Sequence, residues 1–215
     1  MKASILKKSL ISMIDSKIPV FVWGNPGVGK SSIIKQIAND KNMEFIDLRL
    51  SLLDPTDLRG IPFFDSANKS AIWAKPEFLP NSNSQAFGIL FLDEINSAPP
   101  TVQAAAYQLI LDRKIGEYTL PMNYAIVAAG NYESDRGVTY RMPTPLANRF
   151  VHLDFELDFE EWKSWAYESK IDTRIISFLS YKPQNLFTFD AKAKEKSFAT
   201  PRSWSFVNDI LNSNL

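Results

Sequence analysis

Short apolar runs alternate with helical segments from the start of the chain to residue 155, and this alternation limits the folds open to it. Parallel strands need crossover connections, which are usually helices, and those helices cover both faces of the sheet. The runs predict strands at 20–23, 44–48, 88–92, 124–129 and 152–155, and helical periodicity predicts helices at 4–15, 29–41 and 101–111. We therefore predict an α/β fold with a parallel five-stranded sheet and helices on both faces.

The pattern changes after residue 155, where only helices are predicted, at 159–168, 171–181 and 203–211. This change predicts two units: an α/β core at 1–155 and a small helical domain at 156–215, which is short or truncated. Residues 54–83 are rich in proline and turn residues and have few periodic apolar positions. They are predicted to form a long irregular insertion, a feature that is usually functional in a compact domain.

Composition excludes several classes of protein. The chain has no cysteine and one histidine, His152, which excludes disulfides, thiolate catalysis and zinc ribbons and nearly excludes a Ser-His-Asp triad. The chain has 24 Lys and Arg residues and 24 Asp and Glu residues. We therefore expect no overall electrostatic field that would attract nucleic acid or an anionic membrane. No apolar run approaches the ~18 to 20 residues that cross a bilayer, and the first residues lack the apolar stretch of a signal peptide. A cytoplasmic protein is predicted.

A phosphate-binding loop is predicted directly after the first strand. Residues 24–31 fit the pattern of glycine, four residues and then Gly-Lys-Ser/Thr. Small residues let backbone N–H groups surround an anion, and the following helix adds the positive end of its dipole. Lys30 should reach the β- and γ-phosphates of a nucleotide, and Ser31 should bind Mg²⁺. The residues predicted to bind the nucleotide are Gly24, Asn25, Pro26, Gly27, Val28, Gly29, Lys30, Ser31 and Ser32.

Two carboxylates end the third predicted strand. Asp93 and Glu94 follow the apolar run at 88–92, and the carboxyl ends of parallel strands face the ligand crevice. Asp93 is predicted to hold Mg²⁺ with its water shell, and Glu94 to polarise the attacking water. The second acid favours hydrolysis over phosphorylation of a small molecule.

Three further polar residues are predicted to act on the phosphates. Asn131 follows the fourth strand and can hold the water or the γ-phosphate. Arg149 precedes the fifth strand, and an arginine supplied across a subunit contact speeds phosphate hydrolysis by ~10³ to 10⁵. Arg202 opens the last helix and can reach the nucleotide from the helical domain.

These motifs together resemble the AAA+ superfamily of P-loop NTPases, and specifically its MoxR branch. The segment at 92–105, Leu-Asp-Glu-Ile-Asn-Ser-Ala-Pro-Pro-Thr-Val-Gln-Ala-Ala, is similar to the second Walker motif of that branch and the positions that follow it. Residues 115–121 resemble a hairpin insertion, and residues 60–76 correspond to the insertion in the second helix. Two departures are Ser97, where the family usually has arginine, and Tyr132, where it usually has proline.

The resemblance implies a role for each candidate residue. Residues 24–31 and the pair at 93–94 are then the two Walker motifs, Asn131 is sensor one and Arg202, in the helical lid, is sensor two. Arg149 is the arginine finger that acts in trans, with Arg136 and Arg141 as alternatives.

The resemblance also implies a ring of subunits, expected to be hexameric, that hydrolyses ATP at its interfaces and remodels or matures a partner protein, in some members with a von Willebrand A domain partner. Three alternatives stay open: a DNA-associated motor or loader, a non-ring P-loop kinase or nucleotide switch, and a module that holds ATP without turnover. The balanced charge makes a nucleic acid partner the weaker expectation. The insertion contains the aromatic residues Phe63, Phe64 and Trp73, which could contact a client protein. Burial of these side chains is the favoured expectation.

Overall fold

The computed structural model describes residues 1–135, 139–192 and 197–213. Its strands are β1 Val20–Trp23, β2 Glu44–Arg49, β3 Ile61–Asp65, β4 Ser70–Ala74, β5 Gly88–Asp93, β6 Lys114–Ile115, β7 Tyr118–Thr119, β8 Tyr124–Gly130 and β9 Val151–Asp154. Its α-helices are α1 Ala3–Asp15, α2 Lys30–Asp40, α3 Pro55–Arg59, α4 Pro100–Asp112, α5 Thr144–Ala147, α6 Phe159–Glu168, α7 Thr173–Tyr181 and α8 Pro201–Asn212.

The central sheet has five parallel strands in the order β2-β5-β8-β1-β9. All five predicted strands are present, and no end differs from the prediction by more than one residue. The order places β1 between β8 and β9, with the predicted phosphate-binding loop, here called the phosphate loop, directly after it. The predicted α/β fold is therefore confirmed, and the carboxyl ends of β5, β8, β1 and β9 meet at one edge.

Side chains on the two faces of the sheet enter separate apolar clusters. In β5, Leu90 and Leu92 pack in the cluster that includes α4, whereas Ile89 and Phe91 pack in the cluster that includes α1 and α2. Such near-continuous apolar runs are typical of strands that are buried on both faces. Helices thus cover both faces, as predicted.

The insertion at 54–83 is more regular than predicted. It contains α3 and an antiparallel hairpin of β3 and β4. The helix begins where the backbone N–H of Asp54 donates to Asp57 Oδ2 at 2.8 Å, with Pro55 in the first helical position. Asp65 closes the hairpin turn by accepting hydrogen bonds from the Ala67 N–H and the Asn68 side chain. The prediction of an irregular segment was wrong because these local polar contacts stabilise short elements without apolar periodicity.

The β3–β4 hairpin carries the aromatic residues for which burial was expected. Phe63 is 59% exposed, Phe64 72% and Trp73 40%. The expectation was wrong because both faces of this two-stranded ribbon are open to solvent. The hairpin predicted at 115–121 is present as β6 and β7.

The helices after residue 155 form an apolar cluster of their own. Trp162 of α6 packs with Ile175 and Leu179 of α7, and Trp204 of α8 covers the cluster. A side chain caps the start of each of these three helices: Asp158 accepts from the Glu161 N–H in α6, Asp172 from the Arg174 N–H in α7 and Thr200 from the Ser203 N–H in α8. Among the described residues, no helix is both long and apolar enough to cross a membrane.

A phenylalanine of the sheet should contribute far more to the stability of the fold than a phenylalanine of the hairpin. Phe91 is fully buried and its ring centroid lies 5.7 Å from that of Phe45. Phe91→Ala should lower the free energy of unfolding by about 3 to 5 kcal/mol, because it leaves a cavity. The matched control Phe63→Ala, on the exposed hairpin, should change it by no more than about 0.5 kcal/mol. Urea unfolding measures both, and equal losses would contradict the assignment of Phe63 to the surface.

Candidate functional site

The turn between β1 and α2 requires glycine at two positions. Gly27 and Gly29 have φ angles of +77° and +106°, a left-handed region that favours glycine. A Cβ at Gly27 would lie 2.9 Å from Thr200 Oγ1, so the start of α8 also needs glycine there. The Arg202 N–H donates to the Gly27 carbonyl at 3.4 Å. The loop therefore leads into the N-terminus of α2, where backbone N–H groups can bind an anion, and α8 lies beside it.

Lys30 is buried beneath this loop and bridges it to the end of β8. Its ammonium group donates to Gly24 O at 2.6 Å, to Asn25 O at 3.0 Å and to Asn131 Oδ1 at 2.8 Å. The residue is 8% exposed, and burial lowers the pKa of its amine to about 8, although the nearby Asp93 opposes that shift. Lys30 and Asn131 are thus brought together, as an anion site requires.

Ser31 and Asp93 form a second polar pair at the same edge. The Ser31 hydroxyl donates to Asp93 Oδ2 at 3.2 Å. Burial, and then the charge of Glu94, raise the pKa of Asp93 above its ordinary value. A carboxylate next to a hydroxyl is a set of hard oxygen ligands that fits Mg²⁺, and the charge of the ion would favour the ionised form of Asp93.

The side chain of Glu94 contacts the segment that follows β2. Its backbone has a φ of +56°, uncommon for a residue other than glycine and often found at functional sites. Its carboxylate accepts a hydrogen bond from the hydroxyl of Ser51, which follows β2. Sequence reasoning missed Ser51, because no local pattern links it to the end of β5.

Two more polar residues of the site were missed. Asn96 is 1% exposed and donates through Nδ2 to the backbone oxygen of Asn131 at 2.7 Å, and the backbone carbonyl of Asn96 accepts the Tyr140 N–H. Asp135 accepts from Asn25 Nδ2 at 3.1 Å. The signal for Asn96 was its place directly after the two acids, whereas nothing in the sequence distinguished Asp135.

The candidate arginines occupy different places. Arg202 lines the cleft beside the phosphate loop, whereas Arg149 is exposed at the end of α5 and does not line that cleft. Arg141 is exposed as well, and Arg136 lies outside the described residues. The structure thus brings Lys30, Ser31, Asp93 and Asn131 together but leaves Arg149 on the outer surface.

A cleft of about 930 Å³ continues from the phosphate loop between α1 and α2 on one side and α6 and α8 on the other. Its wall combines apolar residues, such as Phe155, Leu157 and Trp162, with Ser32 and Arg202. A volume of several hundred Å³ lined by apolar groups and a few polar ones is typical of a small-molecule site. It can take a nucleoside attached to phosphates bound in the loop.

Comparison with known proteins identifies the family. The sequence model of the ATPase family associated with various cellular activities (AAA) matches residues 19–152, more than half of the chain. The chain belongs to this AAA family. The match covers the phosphate loop, both acids, Asn131 and Arg149 and supports ATP hydrolysis at the general level for this AAA ATPase.

Individual relatives agree with this assignment. The chain is 28% identical to chaperone MoxR1 of Mycobacterium tuberculosis over 152 residues, which are 68% of this chain and 38% of that protein. It is 30% identical to the replication factor C large subunit of Ignicoccus hospitalis over 107 residues, or 50% of this chain and 20% of that protein. The matched part of this AAA ATPase is less than half the length of either relative. The prediction of a MoxR-type AAA+ ATPase is confirmed by the family model and the similarity to MoxR1.

Solved structures share the fold. A candidate ATPase of Cytophaga hutchinsonii superposes with a TM-score of 0.54 at 20% identity, covering 97% of this chain and 58% of that chain. NtrX of Brucella abortus, in complex with ADP, superposes with a TM-score of 0.50 at 16% identity, covering 79% of this chain and 42% of that chain. At these identities the similarity establishes the fold of the AAA ATPase.

Nucleotide binding should change the protonation of Lys30. Without nucleotide, the Lys30 amine has a pKa of about 8 because it is buried. Bound phosphates would favour its charged form and raise that pKa. About half a pH unit above this value, ADP binding should therefore take up protons, and affinity should fall as the pH rises further. Calorimetry in buffers of different ionisation enthalpy measures the uptake. The same titration about one unit below this pKa is the control and should show almost no uptake by Lys30.

Proposed function

We propose that this chain is the nucleotide-hydrolysing part of a ring-forming ATPase that remodels a partner protein. The observation that carries the proposal is the joining of three strand ends in one polar cluster. Lys30 after β1 contacts Asn131 after β8, while Ser31 contacts Asp93 at the end of β5. Phosphoryl transfer depends mainly on positioning and charge stabilisation, which such a cluster supplies.

ATP is the nucleotide that fits the family. Different residues of the chain would bind its phosphates and the Mg²⁺ ion. The loop at 24–32 would hold the phosphates, Lys30 would reach toward the β- and γ-phosphates, and Ser31 with Asp93 would hold Mg²⁺, which supplies charge neutralisation. All three N–H donors of the Lys30 ammonium are already used, so a phosphate must take the place of at least one present acceptor. Asn131 Oδ1 is the side-chain acceptor among them and can turn toward the water or the γ-phosphate.

Glu94 is proposed to orient the attacking water as a general base. Its carboxylate now accepts a hydrogen bond from Ser51, so it must release that hydroxyl, or share it, to face the phosphates. Removing a positioned base typically costs ~10² to 10⁴ in rate.

A neighbouring subunit is proposed to supply Arg149. The side chain is exposed, lies outside the cleft and forms no ion pair within the described part of the chain. A guanidinium in that position can enter the site of the next subunit in a ring, which we propose to be a hexamer. Arg202 would act in cis, since it lines the same cleft as the phosphate loop.

The proposed partner is a protein, remodelled through the exposed β3–β4 hairpin. Phe63 and Phe64 present an apolar surface there, and exposed apolar patches of this kind mark interaction sites. MoxR1 is named a chaperone, which favours this interpretation, and a von Willebrand A domain protein is the partner expected from the MoxR resemblance. We also propose that residues 1–155 and 156–215 act as core and lid, and that the protein works in the cytoplasm.

A DNA-associated loader is the second candidate, favoured by the similarity to a replication factor C large subunit. DNA binding by basic residues weakens steeply with salt. We expect weak retention on DNA cellulose that does not depend on salt, because positive and negative residues balance at 24 each. Strong, salt-sensitive retention with faster hydrolysis would favour the loader instead.

Hydrolysis at a shared site should depend on protein concentration. ATPase activity per subunit should rise with concentration as the ring assembles, and Arg149→Ala should lower it by about 10³-fold. Glu94→Gln should abolish turnover while ATP binding remains. Steady-state phosphate release measures rate, and equilibrium dialysis measures binding. The control Arg141→Ala removes another exposed arginine of the same segment and should retain most of the activity.

Mixing two inactive variants tests the trans role directly. Glu94→Gln subunits keep the arginine, and Arg149→Ala subunits keep the water-orienting glutamate, so a mixture should regain part of the wild-type rate. A mixture that stays inactive would contradict the shared site. Activity that ignores both concentration and Arg149→Ala would indicate a monomeric P-loop enzyme, and tight ATP binding without turnover would indicate a switch or binding module.

A further inference from the structure

We infer that His152, the one histidine of the sequence, is a positioning residue that orients Arg149 toward the neighbouring subunit. The inference rests on the proposed function, because it assumes that Arg149 acts in trans. It adds a residue that no motif of the sequence marked and that lies outside the nucleotide cleft.

Two hydrogen bonds hold the His152 ring between β1 and α5. Trp23 Nε1 donates to His152 Nδ1 at 2.8 Å, and His152 Nε2 lies 2.8 Å from the carbonyl oxygen of Ala147. The partners fix the tautomer, since an indole N–H can only donate and a carbonyl can only accept. Nδ1 is therefore unprotonated, and Nε2 carries the hydrogen that it donates to Ala147.

Neighbouring aromatic rings limit the orientation of the same ring. The planes of His152 and Trp23 differ by only 18° with centroids 6.0 Å apart, as the in-plane hydrogen bond between them requires, and the Tyr132 ring lies nearly parallel to Trp23, at 13° and 6.1 Å. The Tyr132 hydroxyl donates to Asp154 Oδ1 at 3.0 Å, which connects Tyr132 to β9 as well. His152 thus has a defined position although it is exposed.

Ala147 is the last residue of α5, and Arg149 follows two residues later. The Ala147 carbonyl accepts the Phe150 N–H at 3.2 Å as well as the histidine. The helix is four residues long and has no side-chain cap at its start, so it forms few hydrogen bonds of its own. Leu146 and Phe150 are buried and fix the segment from below. His152, itself exposed, adds a hydrogen bond to this segment, which ends near the exposed Arg149.

The other end of the contact reaches the phosphate loop of the same subunit. Trp23 is the residue directly before Gly24. The chain of contacts therefore runs from the start of the nucleotide loop, through one imidazole, to the helix that precedes the arginine. It connects the subunit's own nucleotide site to Arg149, the residue proposed to act in the site of the neighbouring subunit.

Two amide variants separate the two bonds. The longer glutamine side chain of His152→Gln would place its amide nitrogen near the position of Nε2, whereas His152→Asn would place an amide near the position of Nδ1. His152→Gln should thus keep the bond to Ala147, and His152→Asn should lose it. The experiment introduces each change into one component of the active mixture of Glu94→Gln and Arg149→Ala subunits and measures kcat and KM for ATP.

We expect His152→Asn in the Glu94→Gln subunit, which supplies the arginine, to lower kcat by roughly fivefold or more, the size of one ordinary hydrogen bond, without changing KM. The same change in the Arg149→Ala subunit should leave kcat within about twofold, and His152→Gln should retain activity in either subunit. Equal losses in both subunits, or equal losses for Asn and Gln, would overturn the positioning role in favour of a structural one. A parent mixture without activity would instead refute the shared site, and the positioning role with it.

Discussion

The buried ammonium group of Lys30 is the interaction on which the rest of the site depends. A charged amine loses much of its hydration when it is 8% exposed, so it must find oxygen partners in the protein. It finds three, two carbonyls of its own loop and the side chain of Asn131. The same bonds fix the loop after β1 against the end of β8. One cation therefore both shapes the anion cradle and connects it to a neighbouring strand.

The strand order explains why these partners meet. In the order β2-β5-β8-β1-β9, β1 lies next to β8, and β5 follows beyond it. Residues at the carboxyl ends of these strands are far apart in sequence but adjacent at one edge, the usual place for a ligand in an open α/β sheet. Ser31 can therefore reach Asp93 across 62 positions of sequence. The two apolar clusters on either face keep the strands in register and thereby keep these groups aligned.

Sequence reasoning predicted the sheet well because both of its faces are buried, which produces apolar runs that differ clearly from the amphipathic helices around them. It also selected Lys30, Ser31, Asp93 and Asn131, which the structure brings together, since each follows such a run directly or within the loop after it. It failed for the β3–β4 hairpin, whose stability comes from turn and capping contacts and not from apolar periodicity. It missed Ser51 and Asn96 because their roles depend on contacts between distant strand ends, and one sequence contains no record of those contacts.

The exposed residues of the site follow from the same architecture. The groups that would act on the subunit's own nucleotide are held at strand ends by the sheet, whereas Arg149 follows a one-turn helix that the sheet does not contain. A short helix has little stability of its own, so its orientation must come from tertiary contacts. Leu146 and Phe150 supply apolar contacts, which fix depth more than direction, because burial is not directional. Hydrogen bonds are directional, and His152 supplies one from β9, the strand paired with β1. Through His152, the edge strand β9 thus connects the start of the nucleotide loop to the segment before Arg149. This connection orients Arg149 at the surface where another subunit would meet it.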